Sequence, residues 1–408
     1  MLAVLRRRNF ALLFAESLIS SAGDWVLYAA VPYYVYARTG SALAAGLTFV
    51  LEIVPSVLLG TIGGVLADRW ERKGTIVTGE ILMGLALLPV LGVPAGATLP
   101  VLYAGVLTVA ILGQVTGPAS SAALPHVVGT EQLVPANSAF SAANNLARIA
   151  GPLLGGALMA GMGIHAVVLA DTLTFWLGAG CVAAVSVPLQ EGREDRPDEI
   201  GSIWRQTWRE WREGMALVVR RRWIAVIFVV VGIAVFGDGM FTVLFAPFVR
   251  HTLHGSALIF GWATAARGIG GLAGTLIVPL IGRRLSARVL VGWSAVLDGV
   301  AVGVMGLLAS VPSLLVFMLF IGTPVVGFYV SIPSLLQAGV EDEVRGRVFG
   351  AYGAIAQLMV LLGMLVAGAG IARTGILPWM YVSGVFYVLA GTMALIFLRR
   401  TAGDAATT

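Results

Sequence analysis

Long apolar stretches alternate with short polar breaks along the whole chain. A helix that crosses a bilayer needs about 20 mostly apolar residues. That ruler predicts twelve spans, at roughly 10–37, 43–67, 74–93, 99–122, 137–161, 165–188, 223–248, 256–281, 288–310, 311–336, 346–371 and 376–398. The breaks carry turn residues, as at Arg38-Thr39-Gly40 and Val93-Pro94-Ala95-Gly96. Only Ser310-Val311-Pro312-Ser313 divides the ninth span from the tenth. Lipid offers no partners to free backbone groups, so spans of this length must be helices. Short alternating strands of the β-barrel kind do not appear in the pattern. The expected fold class is all-α and integral to the membrane, with twelve transmembrane helices in two six-helix bundles. The bundles occupy 1–188 and 223–408.

One break is long, from 189 to 222. It opens with the solvated run Gln190-Glu191-Gly192-Arg193-Glu194-Asp195-Arg196-Pro197. Trp204, Trp208, Trp211 and Met215 then follow at helical spacing, with Arg205, Arg209 and Arg212 between them. This predicts an amphipathic helix lying on the membrane face; a plain inter-domain linker is the alternative.

Composition agrees. Hydrophobic residues make up 58% and charged residues 12%, against roughly a quarter charged in soluble domains. A single cysteine, Cys181, excludes a disulfide scaffold and a Cys-rich metal site. The four histidines show no ligand spacing, so no metal and no cofactor are expected. The net charge of +5 raises the question of nucleic acid, and the placement of the basic residues answers it. One set of alternate breaks holds Arg6–Arg8, Arg69, Arg72, Lys73, the arginines of 193–222, Arg283, Arg284, Arg288, Arg345, Arg347, Arg399 and Arg400. The opposite set holds Arg38, Arg250 and Arg373. That bias predicts a multi-pass protein of the cell inner (plasma) membrane with both termini and the long loop in the cytoplasm, and no nucleic-acid partner. Arg6–Arg8 before an apolar run resembles a signal peptide. Glu16 and Asp24 interrupt that run, and losing the first span would spoil the charge alternation, so the expectation is a retained span.

The two halves overlay on each other at a shift of about 215. Gly23-Asp24 falls on Gly237-Asp238, Pro32 on Pro247, and Gly40-Ser41-Ala42-Leu43 on Gly255-Ser256-Ala257-Leu258. Six spans repeated in the same orientation is the arrangement of parallel-repeat transporters, which hold substrate near mid-membrane.

Between spans two and three lies Gly64-Val65-Leu66-Ala67-Asp68-Arg69-Trp70-Glu71-Arg72-Lys73. It resembles the loop signature GxLaDrxGRkx of the major facilitator superfamily, with Glu71 where the usual central glycine stands. Gly151-Pro152-Leu153-Leu154-Gly155-Gly156 resembles the GPxxGG core of that superfamily's antiporter signature, with Ala147 in place of the upstream glycine. The run from Glu341 to Phe349 is similar to the DELRGRVF segment of its drug, macrolide and siderophore exporter-like branch. Pro135-Ala136-Asn137-Ser138 and Gly23-Asp24-Trp25 fit that branch too. The resemblance implies a monomeric secondary transporter driven by the proton gradient and needing no cofactor. Its expected partners are a small amphipathic substrate, protons and membrane lipids. It also implies a cytoplasmic gate at Gly64, Asp68, Arg69, Arg72 and Lys73, with Glu341, Asp342, Glu343 and Arg345 as partners from the eleventh span. It implies an antiporter helix at Gly151, Pro152, Gly155 and Gly156.

Charges inside apolar spans are the sharpest signals in the residues themselves. A central acid or arginine costs roughly 2.5–3.5 kcal/mol on insertion scales. Glu16, Ser20, Asp24 and Tyr28 are spaced by four and share one face of span one. A carboxyl held there suits proton exchange, so Asp24 leads the candidates, with Glu16, Glu52 and Asp238. Asn144, Asn145 and Arg148 form a polar face in span five. Arg148, Arg267 and Gln357 are candidate substrate contacts or charge partners. Arg148 is expected to face the central cavity and pair with Asp24; the alternative is that acid–arginine pairs such as Asp24–Arg148 or Asp238–Arg267 are fixed and purely structural. Glu80 and Asp171 are expected at span ends, snorkelling or capping; Asp298 is central in span nine, which the resemblance implies is peripheral. The aromatics Tyr33, Tyr34, Tyr36 and Phe241 are expected as ordinary packing.

The expected function is proton-coupled efflux of amphipathic, drug-like molecules by alternating access. The alternative is a dedicated exporter or flippase for one metabolite, siderophore or lysophospholipid. An enzyme is not expected, because no Ser–His pair, HExxH or nucleotide loop of the form GxxxxGK[ST] is present. A channel would need a selectivity ring that the unlike charges of the halves do not make.

Overall fold

The computed structural model describes residues 6–94, 96–190, 209, 212, 215, 216 and 218–398. Trp204, Trp208 and Trp211 of the expected surface helix lie outside those residues. Twelve long helices follow one another among the described residues. They are α1 (Arg8–Thr39), α2 (Ala42–Arg69), α3 (Arg72–Leu87, continued by Pro89–Gly92), α4 (Thr98–Val128), α5 (Leu133–Met162) and α6 (Ile164–Ala183). The second six are α7 (Arg222–Pro247), α8 (Ala257–Gly282), α9 (Ala287–Leu308), α10 (Val311–Gly339), α11 (Asp342–Thr374) and α12 (Ile376–Phe397). Eleven are long and apolar enough to cross a membrane. The exception is α5, which is 30 residues long and carries Asn137, Ser141, Asn144, Asn145 and Arg148. Large apolar side chains stay uncovered along several helices, such as Leu276 at 71% and Val316 at 62% exposed. Lipid is the solvent that such a surface requires.

Helices α1, α2, α4, α5, α10 and α11 outrun the spans read from hydropathy, because polar residues at their ends are still helical. The narrow break between the ninth and tenth spans is real. Ala309 takes φ 36° after Leu308, and Ser310 opens α10 with a capping box shared with Ser313. Glu71, the departure from the loop signature, is the N-cap of α3. Its carboxylate accepts from the backbone N–H of Lys73 at 3.0 Å and from that of Gly74.

Contacts gather the chain into two units, Met1–Val35 with Leu47–Ile203, and Tyr36–Gly46 with Trp204–Thr408. The repeat is visible in matching helix starts and turns. Helices α2 and α8 both start at the alanine after the matched serine, Ser41 or Ser256. The turns before α6 and α12 use Gly163 and Gly375, with φ of 79° and 82°, a region that favours glycine.

Close approach recurs at matching places too. A Cβ on Gly151 would meet Trp25 Cβ, and the Ala22 carbonyl at 3.1 Å; one on Gly155 would meet the Val26 carbonyl at 2.6 Å. The GPLLGG run therefore lets α5 lie directly on α1. In the second unit, Gly363 of α11 lies in the same way against the backbone of Phe236 in α7. Small residues at such crossings replace the hydrophobic drive that lipid removes.

This packing predicts that Gly155→Leu destabilises the protein by roughly 1–3 kcal/mol, the usual cost of overpacking. Gly180→Leu, where a Cβ meets nothing within 4 Å, is the control and should leave the melting temperature unchanged. Thermal unfolding in detergent checks both.

Candidate functional site

The first unit contains a cavity of about 740 Å³ among its own helices. Its wall takes Glu16, Ser20, Asp24, Trp25 and Tyr28 from α1, Glu52 from α2 and Glu80 from α3. Gln114 of α4, Asn137 and Asn144 of α5 and Phe175 of α6 complete it. The four-residue spacing on α1 does what it predicts, placing Glu16, Ser20, Asp24 and Tyr28 on one wall. Asp24, midway along α1, is exposed to this space, and Glu52 is half-buried. Trp25 and Tyr28 stand edge to face, 5.0 Å apart, and Tyr28 meets Phe49 at 5.3 Å. No lysine, arginine or histidine is among the lining residues. Arg148 sits over the Trp25 ring, 5.7 Å from its centroid, next in sequence to Asp24. Asn145 is half-buried beside it on α5.

Two acids correct the sequence reading. Glu80 and Asp171, expected at span ends, are 4% and 0% exposed. Each falls near the middle of its helix once the true limits of α3 and α6 are drawn. Glu80 lines the cavity, and its carboxyl lies within hydrogen-bonding reach of Glu16 and of Ser20. Asp171 is held by the Thr174 hydroxyl, 3.3 Å from Oδ1. Glycines make the room. A Cβ at Gly178 would strike the Glu80 carboxyl, and a Cβ at Gly23 would strike Asp171 and Thr174.

The second unit treats its acids differently. Arg267 Nη2 lies 3.3 Å from Asp238 Oδ1, and the Tyr387 hydroxyl donates to the same oxygen at 2.7 Å. Arg267 also stands over Phe241, 5.9 Å from the ring centroid. Phe241, Tyr33 and Tyr36 are buried, as ordinary packing requires. Asp298, expected in a peripheral span, is only 3% exposed. It shares a cavity of about 10 Å³ with Asp238, Tyr329 and Tyr387. Packing of α9 against α10 and α12 puts it there. Tyr387 is a partner that sequence reasoning missed; it lies 149 residues from Asp238 with no spacing signal to join them.

The loop residues are engaged within their own units. Arg72 reaches the carbonyls of Ala122 at 3.0 Å and Leu189 at 3.2 Å, and Lys73 donates to the Val185 carbonyl at 2.7 Å. These cations bond carbonyls in the last turns of α4 and in the segment that follows α6. The Asp68 side chain is 75% exposed, 4.0 Å from Arg72. Arg69 is half-buried. A Cβ at Gly64 would meet nothing within 4 Å, whereas one at Gly63 would strike the Gln114 backbone. Glu341 pairs with Arg221 at 2.7 Å. Arg345 pairs with Asp342 one turn away and donates to the carbonyls of Gln337 and Val340. Gln357 is half-buried midway along α11.

The profile of the transmembrane secretion effector family matches residues 1–408. The chain is 25% identical to macrolide efflux protein A of Streptococcus pyogenes, over 92% of this chain and 91% of that protein. It is 28% identical to the multidrug efflux pump Tap of Mycolicibacterium fortuitum, over 97% of each. Among solved structures it resembles a nucleoside transporter, at 13% identity and TM-score 0.75, covering 96% of this chain and 99% of that one. A bacterial homologue of the iron transporter ferroportin matches at 16% identity with the same TM-score and coverage. At such identity the two structures speak for the fold alone.

The ion pair of the second unit yields a stability prediction. Stranding one member of a fully buried pair costs about 3–5 kcal/mol; here about a fifth of each side chain is exposed, so Arg267→Leu should cost somewhat less. Asp238→Asn combined with Arg267→Leu should be more stable than the sum of the single changes allows. Melting temperatures of the three variants test it; strict additivity would contradict a coupled pair.

Proposed function

The chain belongs to the transmembrane secretion effector family of the major facilitator superfamily, and on that premise we propose that it exports amphipathic small molecules in exchange for protons, by alternating access. It is a membrane transporter and not an enzyme. The observation that carries the proposal is the acidic cavity of the first unit, where Asp24 and Glu52 face a drug-sized space with no basic residue in the lining. Pockets for small molecules have volumes of roughly 300–1,000 Å³, so about 740 Å³ suits one. The efflux activities named for the streptococcal and mycobacterial relatives support the outward direction.

In this reading Asp24 takes a proton from one side of the membrane and releases it to the other. Arg148, stacked on the neighbouring Trp25, answers the change of charge. The close crossing of α5 on α1 at Gly151 and Gly155 keeps water from leaking along that seam. The exposed Asp68, with Arg69, Arg72 and Lys73, belongs to the cytoplasmic gate that the loop signature implies. The working protein is a monomer in the plasma membrane with both termini in the cytoplasm, and the gradient replaces any cofactor.

Asp24→Asn should abolish gradient-driven transport while the protein still folds and inserts. Uptake of a dye panel into inverted vesicles under an imposed pH gradient checks this, with unfolding temperature as the control for folding. Uptake at the unmutated rate would remove Asp24 from the coupling step.

A further inference from the structure

At the offset that aligns the two halves, Asp68-Arg69-Trp70-Glu71-Arg72-Lys73 falls on Arg283-Arg284-Leu285-Ser286-Ala287-Arg288. The two loops are built alike. Glu71 is the N-cap of α3, and Ser286 is the N-cap of α9. Lys73 donates to the Val185 carbonyl just beyond α6, and Arg288 donates to the Leu395 carbonyl near the end of α12. Their charges differ. The first loop sets two acids among its cations, whereas the second has three arginines and no acid. In the first, Asp68 lies 4.0 Å from Arg72, and the Glu71 carboxylate caps α3. That loop supplies its own anions. In the second, Arg283 and Ser286 stand where those acids would be. Arg283 and Arg284 are exposed, and among the described residues neither side chain has an acid within salt-bridge distance.

The surroundings of this arginine pair are apolar. Leu280, Ile281 and Leu285 line a groove of about 540 Å³ with Arg283 and Arg284, at the end of α8. Leu272, Leu276 and Leu280 are spaced by four, so they form one stripe that runs to the groove, and all three are exposed. A molecule seated here meets two guanidinium groups at its head and an apolar track along its tail. Guanidinium matches the geometry of phosphate and gives up its hydration more readily than ammonium. We propose that this end of α8 binds one anionic phospholipid, with its phosphate on Arg283 and Arg284 and an acyl chain along Leu280, Leu276 and Leu272. Free phosphate would leave the apolar track unused, and a zwitterionic lipid would leave the excess charge unanswered. A general bias of loops toward positive charge does not single out this place. Arg72, Lys73 and Arg288 are bonded to carbonyls, and Arg221 and Arg345 to carboxylates, all of the chain itself. Arg283 and Arg284 are the cations for which the loop has lost its acids.

The test is native mass spectrometry of the full-length protein in detergent, titrated with phosphatidylglycerol or with phosphatidylcholine of the same acyl chains. Unmutated protein should retain one phosphatidylglycerol molecule in preference to phosphatidylcholine. Arg283→Gln with Arg284→Gln should weaken phosphatidylglycerol binding roughly thirtyfold, the combined worth of two arginines at an anionic headgroup. Arg283→Asp with Ser286→Glu gives the second loop the acids of the first, and should remove the preference between the lipids. Arg220→Gln with Arg222→Gln takes the same charge from another exposed stretch, and should leave the preference intact. Inorganic phosphate in excess should not displace the bound lipid. Equal retention of the two lipids by unmutated protein, an unaltered preference in either of the first two variants, equal weakening in the Arg220 and Arg222 control, or displacement by inorganic phosphate would each overturn the proposal.

Discussion

An ionisable side chain inside a bilayer must have a partner, a polar cavity or a proton, because lipid supplies no solvation. The two units meet that constraint in different ways on the same scaffold. In the second, Asp238 has Arg267 at 3.3 Å and the Tyr387 hydroxyl at 2.7 Å, and the space beside them is hardly larger than one water molecule. In the first, Glu52 stands where the repeat places Arg267, so the equivalent pair with Asp24 cannot form. The acids open instead onto about 740 Å³. A single difference of charge between equivalent positions thus separates a half whose acid is paired from a half whose acids line an open cavity.

The helix crossings set how much room those acids have. Gly151 and Gly155 bring α5 onto α1, and Gly363 brings α11 onto α7. Gly23 and Gly178 leave space for the carboxyls of Asp171 and Glu80. Larger residues at the first pair would push helices apart, and at the second pair would push acids out of place. The same residue type therefore serves packing at one seam and electrostatics at the next.

Much of this is written plainly along the chain. Hydropathy locates the spans, the offset of the halves predicts the matching starts of α2 and α8, and period-four spacing puts Glu16, Asp24 and Tyr28 on one wall. What escaped depends on contacts between helices. Glu80 and Asp171 looked terminal because the apolar windows 74–93 and 165–188 run past the C-terminal ends of α3 and α6, and burial of Glu80 comes from α6 lying across it at Gly178. Asp298 was expected in a peripheral span from the superfamily's fold, and its burial comes from the packing of α9 on α10 and α12. Glu71 broke the loop signature for a reason that only its cap geometry reveals.

The difference between the units is itself the most direct handle on the account. Glu52→Arg would give the first unit the charge pattern of the second, placing a guanidinium opposite Asp24. Gradient-driven export by this variant in proteoliposomes, with its unfolding temperature measured alongside, is the decisive measurement. The account predicts a folded protein whose export no longer responds to the proton gradient. A folded variant that still exports at the full gradient-driven rate would contradict the placement of coupling in the first unit's cavity.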